Sequence, residues 1–142
     1  MTRYRQFVPA ILWMCVIFVF STSLFGGENT GSIFKWLVSS IFPAMPLPDI
    51  EYAHNVVRKA GHLTEYAVLA LLWRRGFVRE GFSGAKAVVV ALVISACYAV
   101  TDEFHQSFVP NRTASALDVL IDASGAVLGQ AVYALGQKKR RL

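Results

Sequence analysis

Charge is scarce in this chain, and cysteine is scarcer. Asp, Glu, Lys and Arg make up 16% of its 142 residues, where about a quarter is usual for a soluble domain. The two cysteines, Cys15 and Cys97, sit inside apolar runs with no CxxC or metal-ligand spacing. That excludes a disulfide scaffold and predicts two free thiols. Internal repeats and low-complexity segments are absent, and the composition is neither disordered nor collagen-like. What abounds is apolar surface: 55% of the residues are hydrophobic and the mean hydropathy is +0.47. A soluble fold this small has too high a surface-to-volume ratio to hide so much. The composition implies a single-domain, all-α integral membrane protein.

The net charge of +5 does not point to nucleic acid. The basic residues do not alternate with aromatics in a patch; they form short clusters between apolar runs, the pattern that orients membrane proteins. Four spans are predicted, at 8–25, 60–73, 85–101 and 114–135. The first is an 18-residue uncharged run, within the range of about 17–25 residues that crosses a bilayer. A cleaved signal peptide is the rival reading, with Ser21-Thr22-Ser23 near the cut, but no A-x-A site follows. Between the first two spans, Ile33, Phe34, Trp36, Leu37, Ile41 and Phe42 recur at helical spacing up to Pro43. This suits a short amphipathic helix lying in the headgroup layer, or equally a loop with buried aromatics. Pro43, Pro46 and Pro48 make the next stretch an extended connector.

Arg3 and Arg5, then Arg74, Arg75, Arg79 and Lys86, then Lys138 to Arg141 fall at alternate ends of these spans. A four-helix bundle with both termini in the cytoplasm puts all of them inside. The same topology gathers the polar residues at the outer end. Lys59, His62, Glu65 and Tyr66 come from the second span, and Asp102, Glu103, His105 and Gln106 from the end of the third. Arg112, Asp118 and Asp122 open the fourth. His62, Glu65 and Tyr66 share one helical face, while Asp118, Asp122, Gly125 and Gly129 form one stripe. Gly125-x-x-x-Gly129 would admit a second helix at close range, within the chain or in an oligomer. Arg58 and Lys59 have an ordinary reading as interfacial anchors, His105 as a cap and Tyr66 as a belt aromatic. Glu65, Asp118 and Asp122 do not, because carboxylates inside a membrane are costly and default to function. An unpaired Asp122 at that depth would protonate or find a cationic partner, for which Arg58, Lys59 and Arg112 are available.

The run Lys59-Ala-Gly-His62-Leu-Thr-Glu65-Tyr66 resembles the first signature of the VanZ-like family of bacterial membrane proteins. Asp102-Glu103-Phe-His-Gln106, followed by Pro110-Asn-Arg112, Asp118, Asp122, Gly125 and Gly129, resembles its second. The resemblance covers about half of the chain, Lys59 to Gly129. It implies a location in the bacterial cytoplasmic membrane and a link to the cell envelope. The member that names the family confers teicoplanin resistance, and most relatives have no assigned reaction. An Asn is common in the family where this chain has Asp122, which weakens any role that needs a charge there.

Two functions compete. In the first, a binding module, Lys59, Arg58 and Arg112 engage an anionic head group. His62, Glu65, Tyr66, Gln106, Asp118 and Asp122 then contact hydroxyls and amides. Its ligands would be an envelope lipid, a lipid-linked wall precursor or a glycopeptide. In the second, an intramembrane hydrolase or transferase, Asp102, Glu103 and His105 act as acid–base residues, with a divalent metal admitted among the carboxylates and His62. There is no HExxH, no Cys pair and no nucleophile elbow. Proton or ion translocation ranks last, because the inner halves of the spans are apolar.

Overall fold

Proline, glycine and serine set the helix boundaries. The computed structural model describes residues 4–109 and 114–139. Helix α1 (Val8–Phe20) has Pro9 in its first turn, where a missing N–H breaks no intrahelical bond. It ends at Ser21, short of the expected 8–25. A 3-10 turn at Ser23–Phe25 and Gly26 follow, and then α2 (Gly27–Ile41). Helix α3 (Leu47–Arg79) starts well before the expected 60–73. Pro48 lies in its first turn instead of an extended connector, and Ile50 in the next turn is already buried. Gly81, at φ 87°, turns the chain with the left-handed conformation that favours glycine. Ser83 caps α4 (Gly84–Gln106) by accepting the Lys86 N–H at 3.3 Å. Helix α5 (Ala116–Lys139) completes an all-helical architecture.

Helices α4 and α5 are long and apolar enough to cross a membrane. With 13 residues, α1 meets that standard only together with 23–41, from which it is bent by 65°. In α3 the charged residues at both ends, with Glu65 between them, leave no uninterrupted apolar stretch of that length.

Helices α3, α4 and α5 pack against one another, with α1 and α2 each laid on α3. Ile17, Tyr66, Leu69 and Ala99 form the core, flanked by Trp13, Met14, Trp73 and Tyr98. Two hydrogen bonds hold α1 in place: Trp13 Nε1 donates to the Glu65 carbonyl at 2.9 Å, and Tyr98 Oη to the Met14 carbonyl at 2.7 Å. The outward faces are aliphatic, with Leu12, Val89, Val93, Leu120 and Val132 exposed, as a lipid-facing surface requires. Cys15 and Cys97 are free thiols.

The tightest seam is between α3 and α5. A Cβ on Gly125 would run into the Leu63 carbonyl oxygen, and one on Gly129 would stand 2.8 Å from that of Ala67. The glycine face available for an oligomer is therefore occupied by α3 of the same chain. Replacing Gly125 by Ala is expected to destabilise the fold in detergent by about 1–3 kcal/mol, because backbone cannot yield as a side chain can. Gly136→Ala, where a Cβ meets nothing within 4 Å, should instead stabilise by about 0.5–1 kcal/mol. Thermal unfolding of both variants measures the contrast, and an equal effect at the two positions would contradict the seam.

Candidate functional site

The last turn of α4, the first turns of α5, the middle of α3 and the end of α1 converge at one end of the molecule. On α4, Asp102, Glu103 and Gln106 are buried while Phe104 between them is exposed. Asp102 Oδ2 accepts from Ser21 Oγ at 2.8 Å and from Gln106 Nε2 at 3.0 Å. Glu103 Oε2 accepts the Ser115 N–H at 2.9 Å. That bond fastens the entrance of α5 by satisfying one of the donors a helix start leaves open.

The contacts between α3 and α5 rise together along both chains, so these helices run in the same direction. Lys59 Nζ lies 4.0 Å from Asp118 Oδ1, and one turn on His62 Nδ1 lies 3.3 Å from Asp122 Oδ1. Further along, Gln130 Nε2 donates to the Ala70 carbonyl at 2.9 Å. The neighbour of Asp122 among the described residues is thus His62 and not the expected Arg58 or Lys59. The glycine seam fixes the register that sets the imidazole there, while Lys59 falls one turn nearer the helix start and reaches Asp118. Arg112 lies outside the described residues.

Asp122 is fully buried, and His62 Nδ1 is its ion-pair neighbour through Oδ1. Among the described residues eight buried polar side-chain atoms have no hydrogen-bond partner: Trp73 Nε1 and Ser95 Oγ, and in this cluster His62 Nδ1, Tyr66 Oη, Asp102 Oδ1, Glu103 Oε1 and both carboxyl oxygens of Asp122. They belong to α3, α4 and α5. Asp102 and Asp122 lie within electrostatic reach of both Tyr66 and Glu103. Leaving one such group unsatisfied costs about 1–3 kcal/mol, and that concentration of cost makes this end of the molecule the candidate site.

Beside the cluster, a cavity of about 320 Å³ opens between α1, α2 and α3. Phe20, Phe25 and Phe34 wall it, and Ser21, Arg58, His62 and Glu65 supply its polar atoms. A crevice of about 10 Å³ between Lys59, Asp118 and Asp122 shares Arg58 and His62 with the cavity. His105 stands apart: its ring packs on Phe18 at 4.6 Å between centroids, and the structure does not pair it with Glu103. No group of three or more His, Cys, Asp or Glu side chains is placed to hold a metal among the described residues.

Sequence reasoning missed three lining residues. Ser21 reads as a small residue at the end of an apolar run, but it is buried and donates to Asp102. Thr30 and His54 also line the cavity, with Thr30 Oγ1 and His54 Nε2 3.2 Å apart. His54 falls in the part of α3 that was expected to precede the second span, so nothing in the sequence marked it.

A family model described as VanZ/LLP1 matches residues 7–137. No curated protein matches the chain, and no solved structure does.

Glu103→Ala removes the acceptor for a partly buried Ser115 N–H and is expected to destabilise the fold by about 1–3 kcal/mol. Amide exchange in the first turn of α5 should rise with it. Glu103→Gln keeps an oxygen acceptor and should recover most of that protection, as hydrogen exchange followed by mass spectrometry would reveal. Equal exchange in both variants and the unaltered protein would contradict the capping role.

Proposed function

The chain belongs to the VanZ/LLP1 family, and from its buried cluster we propose that it binds the head group of an anionic, hydroxyl-rich envelope lipid, of the lipid-linked wall-precursor class. The observation that carries this reading is the set of buried carboxyl oxygens without a hydrogen-bond partner, Asp102 Oδ1, Glu103 Oε1 and Asp122 Oδ2. Ionised carboxylates only accept hydrogen bonds, so their partner must bring donors: hydroxyls, amides or an ammonium group. Arg58 supplies the complementary positive charge at the cavity wall, where a guanidinium matches phosphate in two-pronged contact. The phenylalanines offer surface for a hydrocarbon chain, which favours a lipid over a soluble glycopeptide. Any contribution to glycopeptide resistance would follow from holding such a lipid.

In this reading α1, α3, α4 and α5 cross the bacterial cytoplasmic membrane with both termini inside, and the cluster lies at the extracytoplasmic end. Helix α2 then lies in the headgroup layer. The basic residues Arg74, Arg75, Arg79, Lys138 and Lys139 support this orientation, since positive charge is retained on the cytoplasmic side.

The contact of His62 with Asp122 favours a second reading, in which the pair acts as acid and base on the bound lipid. The two readings separate at Asp122. Asp122→Glu preserves the charge, and a binder should retain part of its occupancy. An enzyme should lose turnover by about 100-fold, because a misplacement of about 1 Å costs that much.

The test is mass spectrometry of the lipids that copurify with the detergent-solubilised protein. The unaltered chain should be enriched in one hydroxyl-bearing anionic lipid relative to the membrane it came from. Asp102→Asn, Asp122→Asn and Arg58→Gln should each reduce that enrichment by about ten-fold, the weight of a hydrogen bond to a charged group. Retention in bulk proportions by all four proteins would sink the proposal.

A further inference from the structure

A second groove lies toward the other end of the molecule. Arg74 is 12 residues beyond His62 on α3, a rise of about 18 Å. There α3, α5 and the start of α4 enclose about 620 Å³ lined by Val68, Leu71, Leu72 and Val78, with Arg74, Arg75 and Arg79 along it. Arg74 is fixed: its guanidinium carbon stands 4.1 Å over the Tyr133 ring, and Nη1 donates to Gln130 Oε1 at 3.2 Å. Arg75 and Arg79 are exposed. Gly84, the first residue of α4, also lines the groove. Ser83 satisfies the N–H groups of Lys86 and Ala87, which leaves those of Gly84 and Ala85 at the positive end of a 23-residue helix.

We propose that this groove is a binding site for one anionic phospholipid, its phosphate held by Arg75, Arg79 and the start of α4 and an acyl chain laid along Val68, Leu71 and Leu72. Charge complementarity selects the occupant. Three guanidinium groups and a helix start supply positive charge, no acidic residue among those described lines the groove, and apart from Tyr133 its remaining side chains are aliphatic. A zwitterionic lipid would set its own cation against these arginines, and a neutral helix would leave their charge unanswered. Ordinary interfacial anchoring accounts for arginines at a helix end. It does not account for a groove with an apolar floor and a helix start at its rim. The groove shares no lining residue with the cavity beside the carboxylate cluster.

The experiment is native mass spectrometry of delipidated, detergent-purified protein titrated with phosphatidylglycerol and, separately, with phosphatidylcholine of identical acyl chains. Phosphatidylglycerol should bind the unaltered protein the more tightly. Arg75→Gln with Arg79→Gln should weaken it about 25-fold, at about five-fold for each basic side chain lost. Lys138→Gln with Lys139→Gln removes equal charge at the end of α5, outside the groove lining, and should change affinity by less than about two-fold. Val78→Trp keeps every charge but fills the groove, and should lose the tight binding as well, which decides the matter if the double arginine variant does not fold. Equal binding of the two lipids, equal weakening by the two charge-removing pairs, or full binding by Val78→Trp would each overturn the site.

Discussion

The close approach of α5 to α3 at Gly125 and Gly129 governs the rest of the structure. Two backbones that touch without intervening side chains have little freedom to slide, and their register places every polar pair along the seam. Lys59 meets Asp118, His62 meets Asp122 and Gln130 meets the Ala70 carbonyl because of that register. Van der Waals packing of small residues is the force available between helices in lipid, where apolar side chains gain nothing by leaving the solvent. The same seam holds the cluster at one end and lets Arg74 rest on Tyr133 toward the other.

Against that rigid frame the cluster is costly. Fully buried Asp122 has a histidine at 3.3 Å from one oxygen and no hydrogen-bond partner for the other. Asp102 spends one oxygen on Ser21 and Gln106, and Glu103 one on the Ser115 N–H, and each keeps a second oxygen unused. The division is orderly: one oxygen builds the fold and the other has no hydrogen-bond partner among the described residues. A sequence selected only to fold would replace such groups with apolar ones, as buried ion pairs replaced by hydrophobic residues often leave proteins equally stable. The carboxyl groups are better understood as serving the head group proposed here.

Much of this was legible in the sequence. The uncharged stretch 87–101 and the stripe through Asp118, Asp122, Gly125 and Gly129 state the period of α4 and α5 directly. The grouping of His62, Tyr66, Asp102, Glu103 and Asp122 followed from reading alternate helix directions. The beginning of α3 was not legible, because Pro46, Pro48 and the acids at 49 and 51 read as a connector until Ile50 is seen buried. Ser21 was missed for a related reason: a serine at the end of an apolar run carries no sign of the helix it will meet 81 residues later. The contact of Asp122 with His62 was not legible either, since charge alone draws attention to the arginines and lysine and only the register reveals the imidazole.

The most direct measurement is an experimental density map of the protein purified from its native membrane in a lipid nanodisc, at a resolution that shows ordered water. The account predicts a non-protein group with hydrogen-bond donors within about 3 Å of Asp102 Oδ1, Glu103 Oε1 and Asp122, continuous with density in the cavity walled by Phe20, Phe25 and Phe34. Carboxyl groups satisfied wholly by one another or by isolated waters, beside a cavity holding no head group, would contradict it.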